Sequence, residues 1–320
     1  MTPPEPYPQH FSNRLSVYVA ATRPAFLSVT LAGALIGLAT AHADGLAIDS
    51  LKAILTVLFA LVAHAGSNVV NDYYDALNGS DARNTEQLFP FTGGSRLIQN
   101  GVLSVQETRT FGYALLLLVI PAGLWLTLHS ATGLLGIGLA GLLIAWAYSA
   151  PPLQLMARGI GELAIVGGWL LVVLGTDFVQ RGTFSAAPVI AGLPFALLVA
   201  AILYINQFPD RAADASAGKR TLVVRLGAAK ARWGYVLIIL TAYLWLACAI
   251  LMGVLPPIAA ISLLPAALSL MACQQLWRHA DQPAQLGSAI KATIAAANLQ
   301  GLLMVVALVA WVSPKLFGNF

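Results

Sequence analysis

Charged residues are scarce in this chain, and their scarcity excludes several classes of protein. Asp, Glu, Lys and Arg make up only 9% of its 320 residues, whereas a soluble globular domain carries about 25%. So few charges cannot cover a water-facing surface, which excludes a soluble enzyme, a disordered protein and a nucleic-acid binder. With 58% hydrophobic residues and a mean hydropathy of +0.79, the chain is predicted to cross a lipid bilayer several times.

Cysteine is also rare. Cys248 and Cys273 both lie inside apolar stretches, so we expect them to pack against other side chains rather than form a disulfide or a metal pair. His10, His129 and His279 are scattered along the chain without the spacing of metal ligands. These patterns argue against a disulfide scaffold and against a Cys/His metal centre.

Uncharged runs predict an all-α bundle of nine transmembrane helices. Backbone groups in hydrocarbon must be bonded internally, so charges mark the boundaries between spans of about 20 residues. Two of the runs are long enough for two helices each, with turns expected near 129–133 and 253–257. We expect one domain over residues 1–320, with a polar N-terminal tail over about 1–14. The predicted runs are 24–43, 53–71, 110–157, 163–176, 182–209, 233–277 and 292–314.

The basic residues predict how the bundle is oriented. With nine spans, all but three of the 17 Lys and Arg residues fall on the side of the N-terminus, the exceptions being Lys52, Arg181 and Lys315. Short cytoplasmic loops carry an excess of Lys and Arg. The N-terminus is therefore predicted to face the cytoplasm, in a multi-pass protein of the inner membrane.

A polar segment follows the second predicted helix on the cytoplasmic side. It contains Asn68, Asn71, Asp72, Asp75 and Asp81. We expect a cytoplasmic loop here, and if the helix continues into it, Asn68, Asp72 and Asp75 share one face. Carboxylates gathered at this spacing repel one another, which indicates that a cation lies between them.

A second polar segment, also predicted as a cytoplasmic loop, follows the sixth helix. Asn206, Asp210 and Asp214 are spaced four residues apart in it. Carboxylate and carboxamide oxygens suit Mg²⁺ with a phosphate as a further ligand. Spacing alone leaves open the alternative that both segments carry ordinary solvated acids.

Basic residues and glycines accompany both acidic segments. Lys219 and Arg220 follow the second segment, and Arg96 follows the first, just after Gly93 and Gly94. Arg and Lys beside Mg²⁺-binding acids form a natural clamp for a diphosphate, and glycines let backbone amides approach phosphate oxygens. The alternative is a pair of ordinary basic cytoplasmic loops.

These residues resemble the UbiA superfamily of intramembrane prenyltransferases. The family pattern is Asn-Asp-x-x-Asp followed by a further Asp, and then Asp-x-x-x-Asp after the sixth helix. The chain has the first at 71–75 with Asp81, and the second at 210–214. The helix count, orientation and segment placement agree as well, so that the resemblance spans nearly the whole chain.

Three further elements strengthen the resemblance. Tyr148 begins a Tyr-x-x-Pro-Pro segment, Arg158 follows it, and Arg23-Pro24 opens the first helix. The stretches at 93–96 and 218–227 are most similar to the 1,4-dihydroxy-2-naphthoate polyprenyltransferase branch.

The resemblance implies Mg²⁺-dependent transfer of a polyprenyl chain from its diphosphate to an aromatic carbon. The expected acceptor is 1,4-dihydroxy-2-naphthoate, in menaquinone biosynthesis. The implied catalytic residues are Asp72, Asp75, Asp210, Asp214 and Tyr148. The implied metal ligands are Asn71, Asp72, Asp75, Asp81, Asn206, Asp210 and Asp214. The implied substrate-binding residues are Asn68, Lys219, Arg220, Arg96, Arg158 and Arg23.

Other interpretations stay open at this point. The acceptor can differ within the family, with 4-hydroxybenzoate or homogentisate as examples. A transporter of divalent cations using the same acids is a second alternative, although it requires ionisable groups near the bilayer midplane. His64, one turn before Asn68, is either a general base or a buried histidine bonded to a backbone carbonyl.

Overall fold

The computed structural model describes residues 4–311, and every regular element within that range is helical. The last predicted span, 292–314, is described only as far as 311, and Lys315 lies outside the described residues. The α-helices are α1 Arg14–Ala21, α2 Pro24–Ala43, α3 Ser50–Asn78, α4 Ser80–Arg83, α5 Val105–His129, α6 Gly133–Ala147, α7 Gly161–Arg181, α8 Ala187–Ser216, α9 Leu222–Leu226, α10 Ala228–Leu251, α11 Ala266–His279 and α12 Gly287–Ala310.

The nine predicted spans correspond to helices within residues 4–311. Eight helical segments there are long and apolar enough to cross a membrane, and α6 is a shorter apolar helix between two of them. The eighth span begins with a 3₁₀ turn, Pro257–Leu263, and continues as α11. Both predicted turns are present, because α5 ends at His129 and α10 ends at Leu251.

The two acidic segments lie on helices rather than in loops, which differs from the prediction. Asp72 and Asp75 belong to α3, which ends at Asn78, and Asp210 and Asp214 belong to α8. These helices have 29 and 30 residues, about 45 Å at 1.5 Å per residue. They are therefore longer than a hydrocarbon core of about 30 Å, and their ends carry the acids. Asp81 follows on the short helix α4.

Helix α8 lies at the centre of the bundle and packs against α2, α7, α10 and α12. Small residues let the neighbouring helices approach it closely, as is usual between membrane helices. The Phe195 ring on α8 is fully buried, and a Cβ added at Gly301 of α12 would lie 2.8 Å from it. This central position fixes the height and direction of the acids at the end of α8.

Candidate active site

A cavity of about 530 Å³ runs between α2, α3, α5, α6, α7 and α8. One end is polar, and the remainder is apolar. The polar end is lined by Asn68, Asn71, Asp75, Asp81, Asn206, Asp210, Asp214 and Lys219. The two acidic segments, far apart in sequence, therefore meet at one end of one cavity.

The apolar part of the cavity extends along several helices, α5, α6 and α7 among them. Ile120 and Leu124 line it from α5, and Leu135 and Leu139 line it from α6. Gly123, Gly138 and Gly141 also line it, and a Cβ added at any of these three would meet no atom within 4 Å. The backbone at these three glycines therefore borders open space.

The end of α3 presents its carboxamides and Asp75 to the cavity. Asn71 donates from Nδ2 to the Asp75 carboxylate at 3.2 Å and to the Ser149 hydroxyl at 3.0 Å. Asn68 donates to the carbonyl of Thr22 at 3.0 Å, which ties α3 to the start of α2. These bonds hold the amide groups firmly on the cavity wall.

Asp81 lines the cavity and Asp72 is buried behind its wall, and both lie next to Gly94. The Ser95 amide donates to Asp72 Oδ2 at 3.2 Å, whereas Asp72 Oδ1 and Asp81 Oδ2 have no hydrogen-bond donor. A Cβ at Gly94 would lie 2.5 Å from Asp81 Oδ2 and 3.0 Å from Asp72 Oδ1. Both unpartnered oxygens therefore point toward the same small space, which only a glycine leaves open.

The electrostatics of Asp81 show the same crowding of acids. Burial raises the pKa of Asp81 well above its usual range, and the nearby Asp75 and Asp72 carboxylates raise the pKa further. Repulsion of this kind is relieved when a cation binds among the carboxylates.

Helix α8 brings Asn206, Asp210 and Asp214 to the opposite wall. Asn206 donates to the carbonyl of Phe91 at 3.2 Å, and its own Oδ1 is buried without a donor. Asp210 Oδ1 accepts a hydrogen bond of 2.6 Å from Asn84. Sequence reasoning missed Asn84, whose only signal is its position three residues after Asp81 in the first polar segment.

Lys219 joins the two acidic segments. Its Nζ lies 2.8 Å from Asp75 and 3.2 Å from Asp214, and its side chain is only 6% exposed. Burial alone would lower the pKa of Lys219, but the Asp75 and Asp214 carboxylates hold this pKa above its ordinary value. Lys219 is thus a fixed positive charge at the centre of the polar end.

The donor set suits Mg²⁺, which prefers oxygen ligands. In the described part of the chain, the cavity-lining residues Ser80, Asp81 and Asn206 each have a buried side-chain oxygen without a partner, and Asp72 Oδ1, beside Gly94, is a fourth such oxygen. Among residues 4–311, no three Asp, Glu, His or Cys side chains already form a closed metal cage. Lys219 instead supplies the positive charge between Asp75 and Asp214.

Three of the arginines predicted to bind substrate do not line the cavity. Arg158 is exposed and donates to the carbonyl of Pro152 at 2.7 Å. Arg220 is exposed, and its amide bonds to Ala157 O. Arg96 donates to the backbone carbonyl of Asp81 at 2.6 Å. None of the three guanidinium groups therefore faces the cavity in this structure, and their contact with substrate stays a prediction.

Arg23 and Tyr148 do line the cavity. The Arg23 guanidinium lies 4.8 Å from the centre of the Phe26 ring, and its Nε is buried without a partner. The phenol of Tyr148, directly after α6, is neutral near pH 7, as is usual for tyrosine. A cation and a neutral phenol are therefore available to a molecule in the cavity.

His64 lines the cavity as well, but it does not bond to a backbone carbonyl. Its Nδ1 lies 2.7 Å from the Thr30 hydroxyl, and its ring packs edge-on against Trp169, with the ring centres 5.1 Å apart. Trp169 Nε1 is buried without a partner. These contacts orient His64 from two neighbouring helices, α2 and α7.

A scan against protein-family models matches residues 27–295 to the UbiA prenyltransferase family. The chain belongs to this family. The membership makes the protein a multi-pass membrane prenyltransferase, and it removes the transporter alternative.

Several curated relatives are named 1,4-dihydroxy-2-naphthoate octaprenyltransferase, and others are named UbiA prenyltransferase domain-containing protein 1. The chain is 29% identical over 301 residues to the 1,4-dihydroxy-2-naphthoate octaprenyltransferase of Escherichia coli (strain K12), covering 92% of this chain and 95% of the relative. It is 31% identical over 185 residues to the protein of the same name from Mycobacterium tuberculosis, covering 58% and 61%.

Solved structures show the same fold. A UbiA homologue from Archaeoglobus fulgidus, bound to DMAPP and Mg²⁺, superposes with a TM-score of 0.65 at 19% identity, covering 90% of this chain and 99% of that chain. The helical arrangement is therefore that of UbiA homologues, as the sequence resemblance implies.

Proposed function

We propose that this prenyltransferase carries out Mg²⁺-dependent transfer of a polyprenyl group from its diphosphate to an aromatic acceptor, 1,4-dihydroxy-2-naphthoate. One observation carries the proposal: the two acidic segments meet around Lys219 at the polar end of a cavity that is otherwise apolar. A prenyl diphosphate is likewise polar at one end and apolar along the rest, because it has a strongly anionic head and an apolar tail.

The anionic head would bind at the polar end. The proposed Mg²⁺ ligands are Asn71, Asp72, Asp75 and Asp81 on one wall and Asn206, Asp210 and Asp214 on the other. When bound, Mg²⁺ neutralises the diphosphate and stabilises the charge that develops on it as it leaves. Lys219 adds a fixed positive charge directly between the walls.

The apolar tail would extend between α5 and α6. Cleavage of an allylic diphosphate leaves a carbocation that water would capture, so the reacting carbon requires a dry pocket. The apolar side chains of the cavity would exclude water, and the rings of Tyr148 and Trp169, which line it, would stabilise a nearby cation.

Arg23 is the best placed group for an anionic acceptor. Its guanidinium lines the cavity with one buried nitrogen unpartnered, and arginine binds a carboxylate through paired hydrogen bonds. The names of the curated relatives support the naphthoate acceptor. We place the polar end on the cytoplasmic side of the inner membrane, where Mg²⁺ and a soluble acceptor are available.

A transfer assay on the purified protein in detergent tests this proposal. Labelled octaprenyl diphosphate is supplied with Mg²⁺ and, in separate reactions, 1,4-dihydroxy-2-naphthoate or 4-hydroxybenzoate. We expect a prenylated naphthol that is not formed when EDTA is present. Product from hydroxybenzoate alone would overturn the acceptor and keep the reaction. Transfer that persists in EDTA would overturn the metal assignment.

A further inference from the structure

The N-terminal segment before α1 is bonded to the loop between α4 and α5. Glu5 accepts hydrogen bonds from Gln87 Nε2 at 2.9 Å and from Asn100 Nδ2 at 3.1 Å, and its Oε2 lies 3.6 Å from Arg96 Nε. Asn100 also donates to the carbonyl of Pro6 at 2.8 Å. One carboxylate thus gathers three side chains of this loop.

The other side of the loop forms part of the polar end of the cavity. Arg96 Nη1 donates to the Asp81 carbonyl at 2.6 Å, and the Ser95 amide donates to Asp72 at 3.2 Å. Gly94 lies against the unpartnered oxygens of both aspartates. Arg96 therefore contacts both Glu5 and Asp81. Through Arg96, Glu5 is linked to a residue that we propose as a Mg²⁺ ligand.

This part of the loop, residues 92–96, has a backbone that requires external support. Within it, Gly93, Gly94 and Arg96 have φ values of 75°, 73° and 64°. A left-handed conformation is unfavourable for a residue with a side chain such as Arg96 and persists only where surrounding contacts maintain it. The segment also lacks regular helix or strand, so its shape depends on contacts such as those to Glu5.

We propose that Glu5 and Arg96 are positioning residues that form an N-terminal latch. The latch holds residues 92–96 in place over Asp72 and Asp81, and it thereby sets how tightly Mg²⁺ and the diphosphate bind. This inference rests on the proposed function for its effect on binding, but the latch itself is a property of the protein alone.

A second anchor keeps the N-terminal region attached when the latch is broken. Val17 of α1 is buried with Leu97 and Leu103, and Phe11 and Tyr18 pack against the same cluster. A substitution at Glu5 should therefore release residues 92–96 without detaching α1 or unfolding the bundle.

Hydrogen exchange of the purified protein in detergent tests the latch directly. In Glu5→Gln, one acceptor oxygen becomes a donor and the charge facing Arg96 is lost. Glu86→Gln is the matched control, because Glu86 is an exposed glutamate of the same loop. We expect amides of residues 92–97 to exchange about tenfold faster in Glu5→Gln than in wild type or in the control.

The same variants are then titrated with Mg²⁺ at fixed prenyl diphosphate. We expect Glu5→Gln to raise the half-saturating Mg²⁺ concentration about three- to tenfold and to leave kcat at saturating Mg²⁺ close to wild type. Arg96→Gln should act in the same direction, and the double variant should be no worse than Arg96→Gln, because the two residues act through one another.

The outcomes separate the latch from the proposed function. If Glu5→Gln exchanges at residues 92–97 like Glu86→Gln, the latch is overturned whatever the activity. If exchange accelerates but half-saturating Mg²⁺ is unchanged, the coupling to binding is overturned. If the wild type transfers no prenyl group at all, the proposed function fails, while the exchange comparison still decides whether the latch exists.

Discussion

A single buried acid, Asp177, lies at one end of the bundle and a group of buried acids lies at the other, and they are bonded in very different ways. At the far end, Asp177 has no solvent exposure, accepts from Thr40 at 2.9 Å, and pairs through both oxygens with Arg181. Arg181 also contacts Asp44 at 2.8 Å. At the polar end of the cavity, by contrast, Asp72 and Asp81 each keep one buried oxygen without a partner.

The difference separates a structural cluster from a binding site. A buried carboxylate whose oxygens are all bonded is already compensated, and disturbing it costs stability. A buried oxygen left without a partner carries an uncompensated cost of desolvation, which a bound cation removes. The far-end cluster should therefore govern stability, and the acids of the cavity should govern Mg²⁺ binding and transfer.

The largest expected effect is the loss of transfer in Asp72→Asn. The substitution keeps the size of the side chain but removes a charge from the proposed Mg²⁺ site, so activity should fall by about 10³-fold or more. The thermal midpoint should stay close to wild type. Asp281→Asn, at an exposed acid on the surface, is the control and should keep full activity. Near-normal turnover in Asp72→Asn would contradict the assignment.

The two bridging cations give a direct test of the comparison. Arg181→Met leaves Asp177 buried without its ion-pair partner and should lower the free energy of unfolding by about 3 to 5 kcal/mol. Lys219→Met also removes a buried ion-pair partner, that of Asp75 and Asp214, but it should in addition raise the KM for prenyl diphosphate about tenfold or more and change the acceptor KM far less. Thermal unfolding and steady-state kinetics on both variants check this, because Arg181→Met should leave both KM values close to wild type. A rise in the KM for prenyl diphosphate in Arg181→Met as large as that in Lys219→Met would remove the distinction.

The smallest expected effect comes from adding one methyl group at Gly94. Gly94→Ala places a Cβ against the unpartnered oxygens of Asp72 and Asp81. The half-saturating Mg²⁺ concentration should therefore rise about tenfold, which corresponds to a loss of about 1.4 kcal/mol of binding free energy. Gly101→Ala is the control, since Gly101 also has a positive φ but would place its Cβ in open space. Similar titrations for both variants would show that backbone strain, and not the acids, explains the effect.

The fold could be predicted well from the sequence because membrane spans are local features. The gaps between charges identify the helices, since each span must satisfy its own backbone. The prediction of loops at the acidic segments is wrong for a related reason. Polar residues indicate where a helix leaves the hydrocarbon core, but not where the helix ends. Helices α3 and α8 both continue beyond the hydrocarbon thickness and carry Asp72 and Asp210 in their last two turns.

The sequence predicts that the acids come together, as they do around the polar end of the cavity, but it does not predict the contacts of the basic residues. The spacing of Asp72, Asp75, Asp210 and Asp214 brings each pair to one helix face, which is a local property. The role of an arginine depends on which distant residue its long side chain contacts in the folded protein. Arg96 bonds to Asp81 and contacts Glu5, and neither contact has a signal in local sequence.

The open glycines on the cavity wall have a consequence for how this protein can change during evolution. Side chains introduced at Gly123, Gly138 or Gly141, which line the cavity, would have room, because nothing among residues 4–311 lies within 4 Å of a Cβ there. Under the proposed function, single substitutions at these positions should change the space for a substrate tail without disturbing the acids at the other end. Substrate length could then be altered in one part of the chain while the reaction chemistry, in another part, is preserved.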